Sequence, residues 1–350
     1  MREDRNCQWR IARRPEGNVV REDFEYAEVD IPTPGDGEFL LKTYYINLAP
    51  VMRMYMSGES VAGEAALAIG DVIHARAVAE VIDSKHPDFA VGEFVQGQCG
   101  WQTYKVSQGT MQEKFRKLPD LGVSYSAALG ALGMTGFSAY FGFLDCGKPV
   151  KDDVVVVSGA AGGVGSQVIQ LAKIHGCYVV GIAGGADKCA LIRSLGCDET
   201  IDYKQGNIAS QIAETCPDGI DLYFDNVGGE TLAAVLENLA MRSRIVLCGS
   251  ISEYLRDEPF GLSNYTRLRR TNSTMQGFFI YNHTDDFDRA ETDMTRWLQS
   301  GQLKPVEYIF DGFESLPGGL ASLYSGKNHG IALVRIRRGP NDTGGRHEQQ

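Results

Sequence analysis

A glycine-rich turn follows a run of valines near the middle of the chain. The segment reads VVVVSGAAGGVGSQVIQLAKIHG from Val154 to Gly176 and predicts a buried strand, a turn and an amphipathic helix. Gly159, Gly162, Gly163 and Gly165 allow positive φ and carry no Cβ, so a pyrophosphate can reach the helix N-terminus, where free N–H groups favour anions. Close strand–helix packing alone could use the same glycines. The strand–turn–helix context, a variant of G-x-G-x-x-G without a third glycine at 168, favours a dinucleotide site.

The end of the next predicted strand indicates which dinucleotide binds. NAD-binding folds place an acidic residue there to hold the ribose diol, whereas this chain has Ala183, Gly184 and Gly185. Lys188 follows at the start of a predicted helix, where it could reach a 2′-phosphate, although a solvated helix lysine is the plainer interpretation. Tyr203 ends the third strand and could pack beside the same phosphate. These residues favour NADPH as the cofactor.

The eight cysteines do not predict a metal site. They are scattered along the chain without a C-x-x-C pair and without a histidine at zinc-ligand spacing. Scattered cysteines in a large chain are usually small buried hydrophobes. We therefore expect no metal and treat all eight cysteines as structural.

Bulk composition excludes several classes of partner. The net charge of −11 argues against nucleic acid and anionic membrane surfaces. No apolar run approaches the roughly 20 residues of a membrane span, and the first residues lack the apolar core of a signal peptide. We expect a small-molecule partner and a cytoplasmic location. A length of 350 residues favours two domains.

The order of predicted elements supports an α/β fold. Residues 1 to about 127 are rich in Gly, Pro and β-formers and predict a β-rich unit. Beyond an Ala/Gly/Leu-rich helical stretch, Ser126 to Phe143, continuous apolar strands alternate with amphipathic helices, which is typical of a doubly wound parallel sheet. The predicted strands of this sheet are Val154 to Val157, Tyr178 to Ala183, Ile220 to Asn226, Arg244 to Cys248 and Phe278 to Ile280. Extended segments at Val306 to Phe310 and Ile331 to Ile336 could rejoin the first unit.

Seven segments together resemble one known family. They are NLAPVMRMYM, SKHPDFAVGEFV, GMTGFSAYFGFLDCGKPVKDDVVVVSGAAGGVGS, GIAGGADKCALIRSLGCDETIDYK, YFDNVGGE, MQGFFIY and GKNHGIALV. From about Tyr44 to Ile336 the chain resembles the zinc-independent medium-chain dehydrogenase/reductases, especially the leukotriene and prostaglandin reductases, plant double-bond reductases and curcumin reductase-like enzymes. The resemblance implies a GroES-like domain at 1–127, completed by 305–338, around a Rossmann NADPH-binding domain at 128–304. Residues 339–350 are expected to form a disordered tail.

The resemblance also implies the residues that line the cofactor, with turn chemistry as the plainer interpretation of the two asparagines. The implied cofactor-binding residues are Gly162, Gly163, Val164, Gly165, Lys188, Tyr203, Asn226, Cys248, Gly249, Ser250, Ser252, Phe278, Phe279 and Asn328.

Family members reduce the carbon–carbon double bond of α,β-unsaturated ketones and aldehydes, by hydride transfer to the β-carbon through an enolate. Hydrogen-bond donors can stabilise the developing oxyanion without zinc. The candidate donors are Tyr281, Tyr254 and Asn264, whereas Tyr265 is a better candidate for packing. The resemblance further implies a homodimer and an enone substrate.

The sequence departs from the eicosanoid reductases at two places. Their D-P-Y-M-R motif is Ala49-Pro50-Val51-Met52-Arg53 here, and a tyrosine expected before MQGF is replaced by Arg270. The Asn264–Tyr265 pair instead resembles the curcumin reductase-like branch. A quinone reductase of the same fold is an open alternative, and a non-catalytic NADPH-binding protein is another. A zinc alcohol dehydrogenase is disfavoured because its G-H-E segment and its four-cysteine lobe are both missing.

Overall fold

The chain folds into two compact units. A computed structural model describes residues 4–60, 64–119, 122–254, 256, 258–326 and 328–339. As far as these residues extend, the first unit spans Met1–Leu129, Tyr308–Lys327 and Ala332–Gln350, and the second spans Gly130–Glu307 and Asn328–Ile331. The tail expected at 339–350 lies, from residue 340 onward, outside the described residues.

The first unit is built around antiparallel strands. Its elements up to residue 129 are β1 (Asn6–Ile11), β2 (Phe24–Val29), β3 (Phe39–Leu48), α1 (Met52–Tyr55), β4 (Arg76–Ser84), β5 (Phe94–Gln98), β6 (Tyr104–Ser107) and β7 (Arg116–Lys117), with 3₁₀ helices at Arg21–Asp23 and Tyr125–Ala128.

The second unit alternates strands and helices. Its elements are α2 (Met134–Phe141), a π-helical turn (Gly142–Cys146), β8 (Val154–Val157), α3 (Gly165–Ile174), β9 (Tyr178–Ala183), α4 (Ala186–Ser194), β10 (Glu199–Asp202), α5 (Ile208–Thr215), β11 (Ile220–Asp225), α6 (Gly229–Leu236), β12 (Leu239–Leu247), α7 (Arg267–Thr271), β13 (Thr274–Gly277), a 3₁₀ helix (Ile280–Asp286) and α8 (Phe287–Gln299).

The last elements of the chain return to the first unit. They are β14 (Glu307–Asp311), a 3₁₀ turn (Phe313–Ser315), α9 (Leu316–Ser325) and β15 (Ile331–Arg335). Within the described residues, β14, β15, β3, β4, β5 and β7 neighbour one another in that order, and β6 pairs with β3. The indole N–H of Trp9 donates to the carbonyl of Phe313 at 2.9 Å, which ties the N-terminal strand to the returning segment.

The second unit contains a doubly wound sheet. Its strands lie in the order β10-β9-β8-β11-β12-β13, and every pairing between them is parallel. In order of appearance this is 3-2-1-4-5-6, the dinucleotide-binding arrangement, whose ligand crevice lies outside the carboxyl ends of the strands. The predicted α/β class with a separate β-rich part is confirmed.

Burial follows the apolar patterning in each unit. Val155, Val156 and Val157 of β8 are fully buried, as a strand covered on both faces requires. In the first unit a separate core packs Trp9, Trp101 and Phe313 against one face of the antiparallel sheet. Each unit therefore has its own hydrophobic core, the usual mark of a domain.

Two sequence-based assignments were wrong. The strand expected at Phe278 to Ile280 lies earlier in the chain, at Thr274–Gly277, where it pairs with β12. A 3₁₀ helix begins at Ile280 instead. The Phe278 ring packs where a Cβ on Gly142 would lie, so its apolar character serves helix packing rather than strand pairing. The helical stretch at Ser126 to Phe143 is interrupted, and its α-helix begins only after Gly133.

No helix in the described part of the chain combines the length and apolarity that crossing a membrane demands.

Candidate cofactor and active site

The glycine turn joins β8 to α3 at the carboxyl edge of the parallel sheet. Gly159 has a φ of +56°, a conformation that favours glycine. Gly162, Gly163 and Gly165 do not adopt positive φ, so the expectation of conformational freedom holds for one of the four glycines. At two of the other positions glycine is explained by the lack of room for a Cβ. A Cβ on Gly165 would overlap the Gly159 carbonyl, and one on Gly163 would come within 3.0 Å of Thr135.

A second segment of the same unit pairs with this turn. Gly330 forms a bridge with Gly162 and donates its N–H to the carbonyl of Ala161 at 2.6 Å. The segment 328–331 therefore lies alongside the glycine turn, although the bridged Gly162 and Gly330 are 168 positions apart in sequence. Asn328, a predicted cofactor residue, is brought to this edge by the same bridge.

The ends of β8 and β11 are held together by Asp225. One carboxylate oxygen of this buried residue accepts from the Ser158 hydroxyl at 2.9 Å, the Tyr223 hydroxyl at 2.7 Å and the N–H groups of Val227 and Gly228 at 3.0 Å each. Asn226 donates its amide to the Ser158 carbonyl at 2.8 Å. These bonds fix the turn after β11 beside Gly159, where a Cβ would lie 3.3 Å from the Cβ of Asn226.

The loop after β12 is tied to the turn that follows β11. The N–H groups of Cys248 and Gly249 both donate to the Asp225 carbonyl, and the Ser252 hydroxyl donates to the Val227 carbonyl at 2.7 Å. The Tyr254 hydroxyl lies 3.7 Å from the position of a Cβ on Gly249. The predicted residues Asn226, Gly249 and Tyr254 are thus gathered at one edge of the sheet. Burial raises the pKa of the Cys248 thiol to about 12, so it stays protonated near neutral pH.

Two lysines and a histidine collect near the start of α4. Burial, followed by the charge of Lys204, lowers the pKa of Lys188, and burial together with the charge of Lys188 lowers the pKa of His329. Tyr203 stands beside Gly184, since a Cβ there would lie 2.6 Å from the phenol ring. Lys188 and Tyr203 were predicted, whereas Lys204 and His329 were missed. Lys204 is adjacent to Tyr203 and could have been found, but His329 is 141 residues from Lys188 and gave no local signal.

An acidic residue also lies near this cluster, although Gly184 and Gly185 predicted that no carboxylate stands at the end of β9. Asp202 comes from the neighbouring strand β10, and one of its oxygens accepts from the N–H of Gly185 at 2.8 Å and of Lys204 at 3.0 Å. The Gly185 bond contributes most to lowering the pKa of Asp202. This carboxylate oxygen is committed to the backbone, where it shapes the turn at Gly185.

The remaining predicted donors occupy different surroundings. Tyr281 lies in the 3₁₀ helix, with its ring 5.2 Å from that of Phe279 in an edge contact. Asn264 is directed elsewhere, because its amide nitrogen donates to the Ala233 carbonyl at 2.9 Å and to Glu237 at 2.6 Å. Both of its amide hydrogens are therefore engaged with α6 and its end. This geometry does not support a substrate-binding role for Asn264.

Metal ligands do not cluster in the parts of the chain that the structure describes. Among these residues no group of three or more His, Cys, Asp or Glu side chains could hold a metal ion. All eight cysteines are free, and six of them are buried.

The residues at this edge fit a dinucleotide. The glycine turn leaves room where a Cβ would intrude, and the start of α4 carries the cations that a 2′-phosphate requires. A 3-2-1-4-5-6 sheet with this turn defines the Rossmann class of dinucleotide-binding proteins.

Comparison with known proteins places the chain within this class. Residues 7–115 match the family model "N-terminal domain of oxidoreductase", and residues 163–298 match the model "Zinc-binding dehydrogenase". The NADPH-dependent curcumin reductase of Escherichia coli is 40% identical over 342 residues, covering 95% of this chain and 97% of that protein. Prostaglandin reductase 1 of Bos taurus is 35% identical, with coverage of 93% and 98%. The crystal structure of CurA in complex with NADPH from Vibrio vulnificus superposes with a TM-score of 0.88 at 39% identity, covering 95% and 100%.

The chain belongs to the medium-chain dehydrogenase/reductase family of oxidoreductases, in the branch of the curcumin and prostaglandin reductases. The resemblance identified from its motifs is confirmed.

Proposed function

We propose that this protein is an NADPH-dependent reductase of the carbon–carbon double bond of α,β-unsaturated ketones and aldehydes. The observation that carries the proposal is the single sheet edge that gathers the glycine turn, Asn226, Gly249 and the Tyr254 hydroxyl. Its relatives include a curcumin reductase, a prostaglandin reductase and the 2-alkenal reductase of Nicotiana tabacum, which is 36% identical.

The protein's residues bind and orient the two reactants. Gly162, Gly163, Val164 and Gly165 receive the pyrophosphate at the start of α3, while Lys188 and Tyr203 receive the 2′-phosphate, with Lys204 adding positive charge and His329 lying nearby. Asn226, Asn328, the loop from Cys248 to Ser252 and the backbone at Phe278 and Phe279 line the nicotinamide end. When bound, NADPH supplies the hydride that reaches the β-carbon.

A hydroxyl donor is needed where negative charge develops on the substrate oxygen. Tyr254 is the stronger candidate because its hydroxyl lies at the sheet edge, and Tyr281 is the second candidate. The phenol O–H of either tyrosine is a hydrogen-bond donor and so can donate to the oxyanion. Asn264 supports α6 instead. The active form is proposed to be a cytoplasmic homodimer.

An NADPH-consumption assay with an enone, with a quinone and with no acceptor tests the reaction class. Enone-dependent oxidation is expected, and a deuterated cofactor should label the β-carbon and leave the carbonyl intact. Consumption with the quinone alone would instead assign a quinone reductase. Deuterium on the carbonyl carbon would mean that the protein is an alcohol dehydrogenase. If NADPH were consumed with neither the enone nor the quinone, the proposal that the protein is an enzyme of this kind would be wrong.

A further inference from the structure

The loop after β12 lies directly on the turn that begins α6. Gly228 and Gly229 of this turn have φ values of +74° and +54°. A Cβ on Gly229 would lie 2.8 Å from the Ser252 hydroxyl and 3.0 Å from a carboxylate oxygen of Glu253. Glycine therefore serves there both the left-handed backbone and the close approach of the loop. These residues belong to the second unit, as does the sheet edge of the proposed site.

Both carboxylate oxygens of Glu253 make contacts that hold this loop. Oε1 lies 3.1 Å from the Ser252 hydroxyl, which also donates to the Val227 carbonyl at 2.7 Å. A hydroxyl has one proton, so the two acceptors share it. Oε2 accepts from the backbone N–H of Phe260 at 2.8 Å. The Glu253 side chain therefore joins the start of the loop, beside the turn after β11, to a residue further along the chain.

Backbone contacts hold the same residue on either side. The Glu253 N–H donates to the Ser250 carbonyl at 2.8 Å, and the Glu253 carbonyl accepts from the N–H of Arg256 at 3.1 Å. The Arg256 guanidinium lies over the Phe260 ring, 5.6 Å from the ring centroid. Tyr254 follows Glu253 in sequence, so its side chain leaves the backbone at a point that these contacts fix.

We propose that Glu253 is a positioning residue that holds the Tyr254 hydroxyl at the sheet edge, where this hydroxyl donates to the substrate oxygen. This inference rests on the proposed function. The Tyr254 hydroxyl lies 3.7 Å from the position of a Cβ on Gly249, and a donor is most effective when it is held in the reacting geometry. Loss of the Glu253 carboxylate removes the acceptor of the Phe260 N–H and frees the chain beside Tyr254.

Steady-state kinetics of single and double variants with one enone tests the link between the two residues. Y254F should lower kcat about 10-fold and E253A about 5-fold, each with a smaller change in KM. Because Glu253 acts through the Tyr254 hydroxyl, adding E253A to Y254F should lower kcat by less than about 2-fold more. E253Q should retain most of the wild-type kcat, since its amide oxygen can accept from Phe260 and its NH₂ group can donate to the Ser252 oxygen.

A measurement without turnover reports the surroundings of Tyr254. In protein labelled with 3-fluorotyrosine, the ¹⁹F NMR signal that disappears in Y254F belongs to Tyr254. We expect E253A to move this signal toward that of free 3-fluorotyrosine and to narrow it, whereas E253Q should leave it near its wild-type position. E258A is the matched control, because Glu258 is an exposed glutamate of the same loop, and it should change neither the signal nor kcat.

The outcomes distinguish this inference from the proposed function. Enone reduction by the wild type, with kcat and the Tyr254 signal both unchanged in E253A, overturns the positioning role and leaves the reductase in place. If the wild type reduces no enone, the proposed function is wrong, while a Tyr254 signal that moves in E253A and not in E258A still supports the positioning role.

Three further results would overturn the inference. A loss of about 50-fold in the double variant would mean that Glu253 and Tyr254 act independently. An unchanged kcat in Y254F would mean that the Tyr254 hydroxyl does not serve the reaction. A large fall in the Tm of both E253A and E253Q would assign Glu253 to the fold.

Discussion

We propose that the choice of cofactor depends most on Lys188. Its ammonium is half-buried at the first turn of α4, and burial together with Lys204 lowers its pKa, so a free positive charge is disfavoured there without a partner. A 2′-phosphate would supply that partner. NADH has no such group and gains nothing from the cluster.

Lys188→Ala should weaken NADPH binding by about 1–3 kcal/mol, roughly 5- to 150-fold, because a charge-assisted contact is lost. Binding of NADH should be nearly unchanged. Fluorescence titration of both cofactors measures the two constants. Arg193→Ala is the control, since this exposed arginine of the same helix bonds Thr200. An equal loss for both cofactors would contradict the assignment.

Tyr254 and Tyr281 compete for the role of oxyanion donor. The Tyr254 hydroxyl approaches Gly249 at the sheet edge, whereas the Tyr281 ring packs on Phe279. A donor that acts mainly as charge develops affects kcat more than KM.

Tyr254→Phe should lower kcat about 10-fold with a smaller change in KM, the loss being moderated by other donors to the same oxygen. Tyr281→Phe should have the smaller effect. Steady-state kinetics with one enone decides between them. A KM effect with unchanged kcat in both variants would mean that neither hydroxyl stabilises the transition state.

At the scale of elements, the β8–α3 turn depends on close approach more than on unusual backbone angles. Gly165 is the first residue of α3, and a Cβ on it would overlap the Gly159 carbonyl and lie 2.9 Å from the Cα of Ala160. Such contacts are backbone on both sides, so a side-chain rotation cannot relieve them. The turn itself must move.

Gly165→Ala should therefore lower both the Tm and the affinity for NADPH, the latter by about 10-fold or more, because the N–H groups that face the pyrophosphate shift. Thermal unfolding and cofactor titration measure the two effects. Gly261→Ala is the matched control, since a Cβ there meets nothing within 4 Å and the backbone is not left-handed. Unchanged NADPH affinity in Gly165→Ala would show that this turn does not carry the phosphates.

At the scale of the whole molecule, buried thiols link stability to alkaline pH. Burial raises the pKa of Cys99 and Cys197 to about 12 and that of Cys177 and Cys216 to about 11. An unfolded thiol titrates near about 8.5. Above that pH the unfolded chain loses protons that the folded chain keeps, so the free energy of unfolding falls.

We expect this stability contribution to be complete below about pH 8.5 and to be lost as the pH rises toward 11–12. Each thiol contributes a slope of at most about 1.4 kcal/mol per pH unit. Urea unfolding under reducing conditions at several pH values from 7.5 to 10 measures it. The double variant C99A/C197A should show a shallower slope, and an equal slope would exclude these thiols as the cause.

The sequence by itself determined the features that depend on neighbours along the chain. The valine run predicted β8 with its observed ends, and the glycine turn and Lys188 followed from residues within one strand–turn–helix unit. Hydrophobic periodicity and local turn chemistry encode such features directly. The family motifs extended the prediction to the fold class and the cofactor.

Tertiary structure alone decided which distant groups meet. His329 joins Lys188 because a bridge holds segment 328–331 at the glycine turn, and Asp202 bonds Gly185 because β10 lies beside β9. The Asn264 amide donates to the carbonyl of Ala233, a partner 31 positions away in sequence. Sheet order, strand register and side-chain partners are set by contacts between residues far apart in sequence, which no local pattern encodes.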